Sequence, residues 1–164
     1  MNAKLLKQKL IFDKFLKRAD FNLSSYSFAS VLAWKDFFDF DFKVIDEQLC
    51  VFAKSELGSF LYLPPLGKRI SQKALDTCFK TLYKRNKGKG IARIENVEEK
   101  DLKLFDKKVY LRFLKSEETV YLKKDIAELK GNKFKSKRSA YNQFVKKHYF
   151  QVRSLRTSMK KECL

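Results

Sequence analysis

Phe42-Lys43-Val44-Ile45-Asp46-Glu47-Gln48-Leu49-Cys50-Val51-Phe52-Ala53 decides how the rest of this chain is read. Two short runs of β-branched and aromatic residues flank a polar Asp-Glu-Gln break. That is the pattern of two strands joined by a tight turn, although no glycine supplies the usual turn chemistry. Strands are predicted at 42–45 and 49–53, and a third at 59–63 ends at Pro64-Pro65, where the missing N–H stops a ladder. A meander of this kind needs helices to cover its faces.

Both flanks supply them. Residues 3–18 place Leu6, Leu10, Phe12, Phe15 and Leu16 on one helical face. Asp20-Phe21-Asn22-Leu23-Ser24-Ser25 offers capping oxygens to a second helix over about 25–38, which carries Phe28, Leu32, Trp34 and Phe38. After the meander, Ser71 caps a helix over 72–86 whose inner face holds Leu75, Cys78, Phe79 and Leu82. A strand at 91–97 follows, then a short helix at 98–106 with Asn96 and Glu99 spaced like a capping box. Strands at 109–114 and 119–122, a helical turn at 125–130, a basic helix at 133–148 and a last strand at 151–155 complete the order. The expected class is α+β (mixed α/β), with a mixed sheet of about five to seven strands flanked by helices. Trp34, Phe79 and Leu82 are expected inside it.

The 164 residues suffice for one ordinary domain, and 45% hydrophobic content gives it a core. Sixteen Phe and seven Tyr are spread through the periodic segments, as core rings are. A formal net charge of +18 favours an anionic partner: nucleic acid, acidic headgroups or a phosphorylated small molecule. Lysine outnumbers arginine 29 to 8, so part of this charge reads equally as a solvated surface, since bidentate phosphate and base contacts favour arginine. Cys50, Cys78 and Cys163 are odd in number and widely spaced. They read as reduced cysteines rather than a disulfide framework or a zinc site. With no signal-peptide pattern and no long apolar run, the expected location is cytoplasmic.

Several motifs are read as structural. Arg85-Asn86-Lys87-Gly88-Lys89-Gly90 spells a coenzyme-A pyrophosphate loop, but it closes a helix where that loop must open one. Gly88 therefore reads as a left-handed C-cap. Lys68 and Arg69 follow the rigid Leu63-Pro64-Pro65-Leu66-Gly67 turn and are secondary candidates for an anion. His148, the only histidine, reads as a helix-end residue. Asp36, Asp39 and Asp41 lack the glycine of a calcium loop, and no metal is expected.

The basic helix is different. Eleven Lys or Arg residues and no acid lie between Glu128 and Glu162, and seven of them fall within 130–147. Phe134, Arg138, Tyr141 and Val145 share one stripe. Arg138 on that stripe calls for an anion or a buried carboxylate. The Gly131-Asn132 start is expected to leave helix N-terminal amides near Lys133 and Lys135.

Phe21-Asn22-Leu23-Ser24, Ser27-Phe28-Ala29-Ser30 with Trp34, Tyr62-Leu63-Pro64-Pro65-Leu66-Gly67, Ile91-Ala92-Arg93-Ile94-Glu95-Asn96-Val97 and the stretch from Asp125 to Tyr149 together resemble one family. It is the domain of unknown function 2156, also called phosphatidylglycerol lysyltransferase C-terminal-like, and the resemblance covers about residues 11–155. It implies a tandem acyltransferase fold of the N-acetyltransferase (GNAT) type, similar to transferases that draw amino acids from aminoacyl-tRNA. Residues 1–155 would then be the first GNAT-like domain and 156–164 a short basic tail, with the family's second domain absent. The implied chemistry is attack of an amine or hydroxyl on an activated acyl ester, with aminoacyl-tRNA or acyl-coenzyme A as donor substrate and no tightly bound cofactor. Lys133, Lys135, Lys137 and Arg138, with Lys68 and Arg69 behind them, are the expected donor-phosphate residues; no catalytic residue is assigned. The expected partners are tRNA or another polyphosphate ligand, and a second GNAT-like half in trans. A basic RNA-binding module on a degenerate acyltransferase fold is the alternative.

Overall fold

A computed structural model describes residues 3–89, 92–154 and 156–162. The chain divides into two compact units, Met1–Glu118 and Thr119–Leu164.

The first unit is built on the meander. Strands β1 (Asp39–Ile45), β2 (Gln48–Ser55) and β3 (Gly58–Leu61) pair antiparallel in the order β1-β2-β3. Ile45 opposite Gln48 leaves only Asp46 and Glu47 in the first turn, both at positive φ (49° and 59°). A two-residue hairpin turn needs that geometry whether or not glycine is present. The hairpin therefore forms as read, β1 beginning three residues earlier than the pattern suggested.

β2 is paired on both edges, and helices cover both of its faces. Leu49, Val51 and Ala53 face a core built from Phe12 and Phe15 of helix α1 (Ala3–Leu16) and Phe28 and Val31 of helix α2 (Phe28–Ala33). Cys50 and Phe52 alternate to the other face, where Leu61, Cys78 and Leu82 close a second cluster under helix α3 (Gln72–Arg85). The period-two alternation of a strand thus feeds two separate apolar layers.

Caps and polar pins hold these layers in place. The Ser71 hydroxyl accepts from the Ala74 amide (3.0 Å) and donates to Asp46 (2.6 Å), which joins the start of α3 to the β1–β2 turn. At the other end of α3, buried Asn86 accepts from the Ser59 amide (2.7 Å) and donates to the Ser59 carbonyl (2.8 Å). Gly88 follows at φ 74°, its amide bonded to the Tyr83 carbonyl at 3.0 Å, as a left-handed cap requires. Gly90 and Ile91 lie outside the described residues.

Other expectations are corrected. α2 spans six residues rather than fourteen, because Ser27 is the residue whose side chain caps it and Trp34 ends it. Trp34 is 45% exposed, its ring against Phe37 and Phe38 rather than in the core. Leu6 and Leu10 of α1 are also exposed. Phe79 is half-buried against Tyr110, and Leu82 is fully buried as expected. The predicted strand 91–97 reduces to one parallel bridge, Leu61 with Ile94. Asn96 turns left-handed (φ 56°) and ends it, its side chain donating to the Tyr62 carbonyl at 2.7 Å. That use of Asn96 also removes the proposed capping box, and Glu99–Leu104 forms a 3-10 helix without a side-chain cap.

Among the described residues no ladder forms at 109–114, 119–122 or 151–154, and Leu155 lies outside them. In 109–114 the anchored side chains are those of alternate residues. Tyr110 packs on Phe79 and Phe105, and Arg112 donates to the Leu102 and Phe105 carbonyls. Leu111 and Phe113 are 83% and 81% exposed.

The second unit contains helix α4 (Lys123–Glu128), a 3-10 turn Asn132–Phe134, helix α5 (Lys135–Lys147) and a 3-10 helix Thr157–Glu162. Leu129 ends α4 in the left-handed conformation, and buried Phe134 meets the Tyr121 ring.

Candidate functional site

The charged stretch folds into a helix with two unlike faces. Residues at helical spacing, Lys135, Arg138, Ser139, Asn142, Gln143 and Lys146, line one open depression of about 450 Å³. It presents two ammonium groups, a guanidinium, two amides and a hydroxyl. Cations with neutral donors beside them suit a phosphate, which accepts several hydrogen bonds while its charge is neutralised. The other face carries Tyr141, Phe144 and Val145, all exposed, and α5 buries none of its own residues.

The predicted phosphate residues divide accordingly. Lys135 and Arg138 reach the depression. Lys137 projects from the apolar side of α5, exposed and without a hydrogen-bond or ion-pair partner among the described residues. Lys133 is occupied, with Asp125 at 3.0 Å and its ammonium 5.0 Å from the Phe134 ring. Lys68 and Arg69 belong to the first unit, exposed between Gly67 and the Ser71 cap.

Arg138 meets no carboxylate among the described residues. Its guanidinium donates to the Leu129 and Gly131 carbonyls, the latter at 2.8 Å. It thereby serves the orphan carbonyls where α4 ends, and only part of it remains for a ligand. The amides of Phe134 and Lys135 are also in use, bonded to the Gly131 and Asn132 carbonyls of the 3-10 turn. Ser139, Asn142, Gln143 and Lys146 lie off the apolar stripe and are not among the expected phosphate residues. The recurrence of polar residues at 135, 138–139, 142–143 and 146 was the available signal.

A second polar cluster, in the first unit, is fully committed to structure. Buried Glu98 accepts from the Asn22 and Leu23 amides and from Lys100 (3.1 Å). Burial pushes its pKa up, but these donors outweigh burial and hold it below the usual carboxylate range. Asp101, which lacks such donors, is raised by burial. The Tyr26 phenol is raised by burial and by the Glu98 and Asp101 charges, and it donates to the Asn96 carbonyl at 3.1 Å. Tyr26 is thus a protonated donor joining loops, not a poised base.

Among the described residues, no group of three or more His, Cys, Asp or Glu side chains could hold a metal ion. Asp36 pairs with Lys35 at 2.7 Å, and Asp41 pairs with Arg85. No described helix is long and apolar enough to cross a membrane.

The sequence that folds into these two units was compared with known families and proteins. The family model for phosphatidylglycerol lysyltransferase, C-terminal, matches residues 17–164, and the chain belongs to that family. A search of curated proteins and a search of solved structures each found no match.

Proposed function

We propose that this chain is the donor-binding part of an acyl- or aminoacyl-transferase whose activated donor carries phosphates, with aminoacyl-tRNA the best candidate and acyl-coenzyme A the other. The observation that carries this reading is the polar face of α5, where Lys135, Arg138 and Lys146 converge with Ser139, Asn142 and Gln143, in a member of a lysyltransferase family. In the reaction an amine or hydroxyl adds to the donor's ester carbonyl, and the tetrahedral oxyanion collapses to expel the tRNA hydroxyl or the coenzyme thiol. The α5 face would hold the phosphates and leave that chemistry to groups elsewhere. Lys137 would join it as a peripheral contact, and Lys133, Lys68 and Arg69 would add long-range attraction.

The exposed, alternately anchored strand-like segment at 109–114 and the bare apolar side of α5 support a further part of the reading. A GNAT-type sheet of five to seven strands would be completed, and a second GNAT-like half in trans would cover these surfaces. By itself the chain is then inactive. Purified protein with labelled aminoacyl-tRNA or acetyl-coenzyme A should show no transfer above background, and robust turnover by the chain alone would overturn this part.

Phosphate binding is tested separately. Lys135→Gln with Lys146→Gln should weaken tRNA binding and flatten its logarithmic salt slope by about 0.7–0.9 per lost contact. Lys68→Gln with Arg69→Gln should change both less. An unchanged affinity and slope in the α5 variant would overturn the assignment. The second reading, an RNA-binding module without transfer chemistry, is favoured by the structural commitment of Tyr26, Glu98 and Lys100. It is preferred if tRNA binds through α5 and no second half restores transfer.

A further inference from the structure

Cys50 and Cys78 take no part in phosphate binding, and the sequence separates them widely. The sheet brings them together. Cys50 leaves β2 on the face opposite Leu49 and Val51, and Cys78 lies on the inner side of α3 beside Leu75 and Leu82. Both are wholly buried in a cluster of five residues that also contains Phe52, Leu61 and Leu82, with the Arg85 guanidinium 4.6 Å from the Phe52 ring. The two thiols interact with each other. The Cys50 thiol also lies within weak donor reach of the Gln48 carbonyl, on its own strand, at 4.0 Å. The pair is unequal: the hydrogen bond from Cys50 lowers the Cys78 pKa, whereas that bond and then burial push the Cys50 thiol up. This inequality favours Cys78 as the attacking sulfur once the site opens.

We infer that Cys50 and Cys78 form a peroxide-responsive dithiol that closes to a disulfide between β2 and α3. The Cys78 thiolate attacks one oxygen of hydrogen peroxide; an S–O bond forms, the O–O bond breaks, and the departing hydroxide takes a proton to become water. The Cys50 sulfur then attacks the Cys78 sulfenic sulfur, the S–O bond breaks, and the second oxygen leaves as water with the Cys50 proton. Two thiols and one peroxide give one disulfide and two waters, with two electrons passing from sulfur to oxygen. The oxidant is small enough to reach the pair through local opening of α3, and a resolving thiol already in contact captures the sulfenic acid before further oxidation. The cross-link ties the central strand to the helix across the layer and restricts the unfolded chain.

The test uses the full chain with Cys163→Ser, which removes the one other cysteine in the sequence. Protein exposed to hydrogen peroxide is quenched with catalase, unfolded in iodoacetamide and mapped by mass spectrometry. Peptides containing Cys50 and Cys78 should be recovered joined, the urea midpoint of unreduced protein should rise, and a reductant should restore both. With Cys50→Ala added, dimedone should label Cys78, while the parent gives little adduct. Recovery of both cysteines alkylated, or separately oxidised to sulfinic acid, would overturn the inference. So would a cross-link that forms as readily in urea as in the folded chain, because proximity in the fold would then not be its cause.

Discussion

Strand β2 and helix α5 carry similar numbers of apolar residues into opposite environments. Six successive residues of β2, Gln48–Ala53, are buried because the strand is paired on both edges and covered on both faces. No residue of α5 is buried, although Tyr141, Phe144 and Val145 form an ordinary helical stripe. Apolar spacing therefore identifies a side that can be covered, not one that is. In β2 the cover comes from α1, α2 and α3, and this makes the sheet the part that resists unfolding and α5 the part free to meet a ligand.

The largest effect expected from this contrast is in the core. Phe52→Ala should destabilise the first unit by about 3–5 kcal/mol, read as a lowered urea midpoint. Phe144→Ala on α5 should change stability far less, roughly within the 0.5 kcal/mol of a surface substitution. Comparable losses at both positions would mean that α5 is covered in solution, and would break the comparison.

Asn86→Ala comes next. It removes both hydrogen bonds to Ser59 and strands a buried amide and carbonyl, at about 1–3 kcal/mol for each group left unsatisfied. Asn86→Asp keeps the acceptor and should recover part of the loss if the bond from the Ser59 amide matters. Ser71→Ala then removes the α3 cap at a cost of about 1 kcal/mol.

Acid should act on the first unit through Glu98 and Asp46. Both carboxyls are held below their usual pKa, Glu98 by the Asn22 and Leu23 amides and Lys100 against the opposing effect of burial, and Asp46 by Ser71 and Lys73. A depressed folded pKa gives stability that is present above the unfolded value. It is lost as pH falls from about 4 through the lower folded value. Asp101, raised by burial, acts in the opposite sense and gains folded-state protonation over the same fall. Glu98→Gln should flatten the acid limb of the urea midpoint plotted against pH. An unchanged limb would place the acid sensitivity elsewhere.

The smallest stability effect should come from the phosphate face. Lys135→Gln with Lys146→Gln should leave the urea midpoint within roughly the surface range of 0.5 kcal/mol, since neither ammonium has a hydrogen-bond or ion-pair partner among the described residues. Arg138→Gln should cost more, because it releases the carbonyls that end α4.

Local chemistry was legible wherever one short stretch contained all the partners. The hairpin, the Ser71 cap, the inner face of α3, the Gly88 cap and the α5 helix are of this kind, and so is membership of the family. The sequence determined these because turn, cap and period are set by residues a few positions apart. What only the tertiary structure decided depends on groups distant in the chain. Asn96 was spent on the Tyr62 carbonyl rather than on a capping box. Arg138 found the carbonyls at the end of α4 rather than a buried carboxylate. Trp34 was left at the surface because α2 stops beside it, and the segments at 109–114 and 119–122, patterned as strands, have no ladder among the described residues. A strand exists only when another strand meets its backbone donors and acceptors, and no property of a single segment can supply that neighbour.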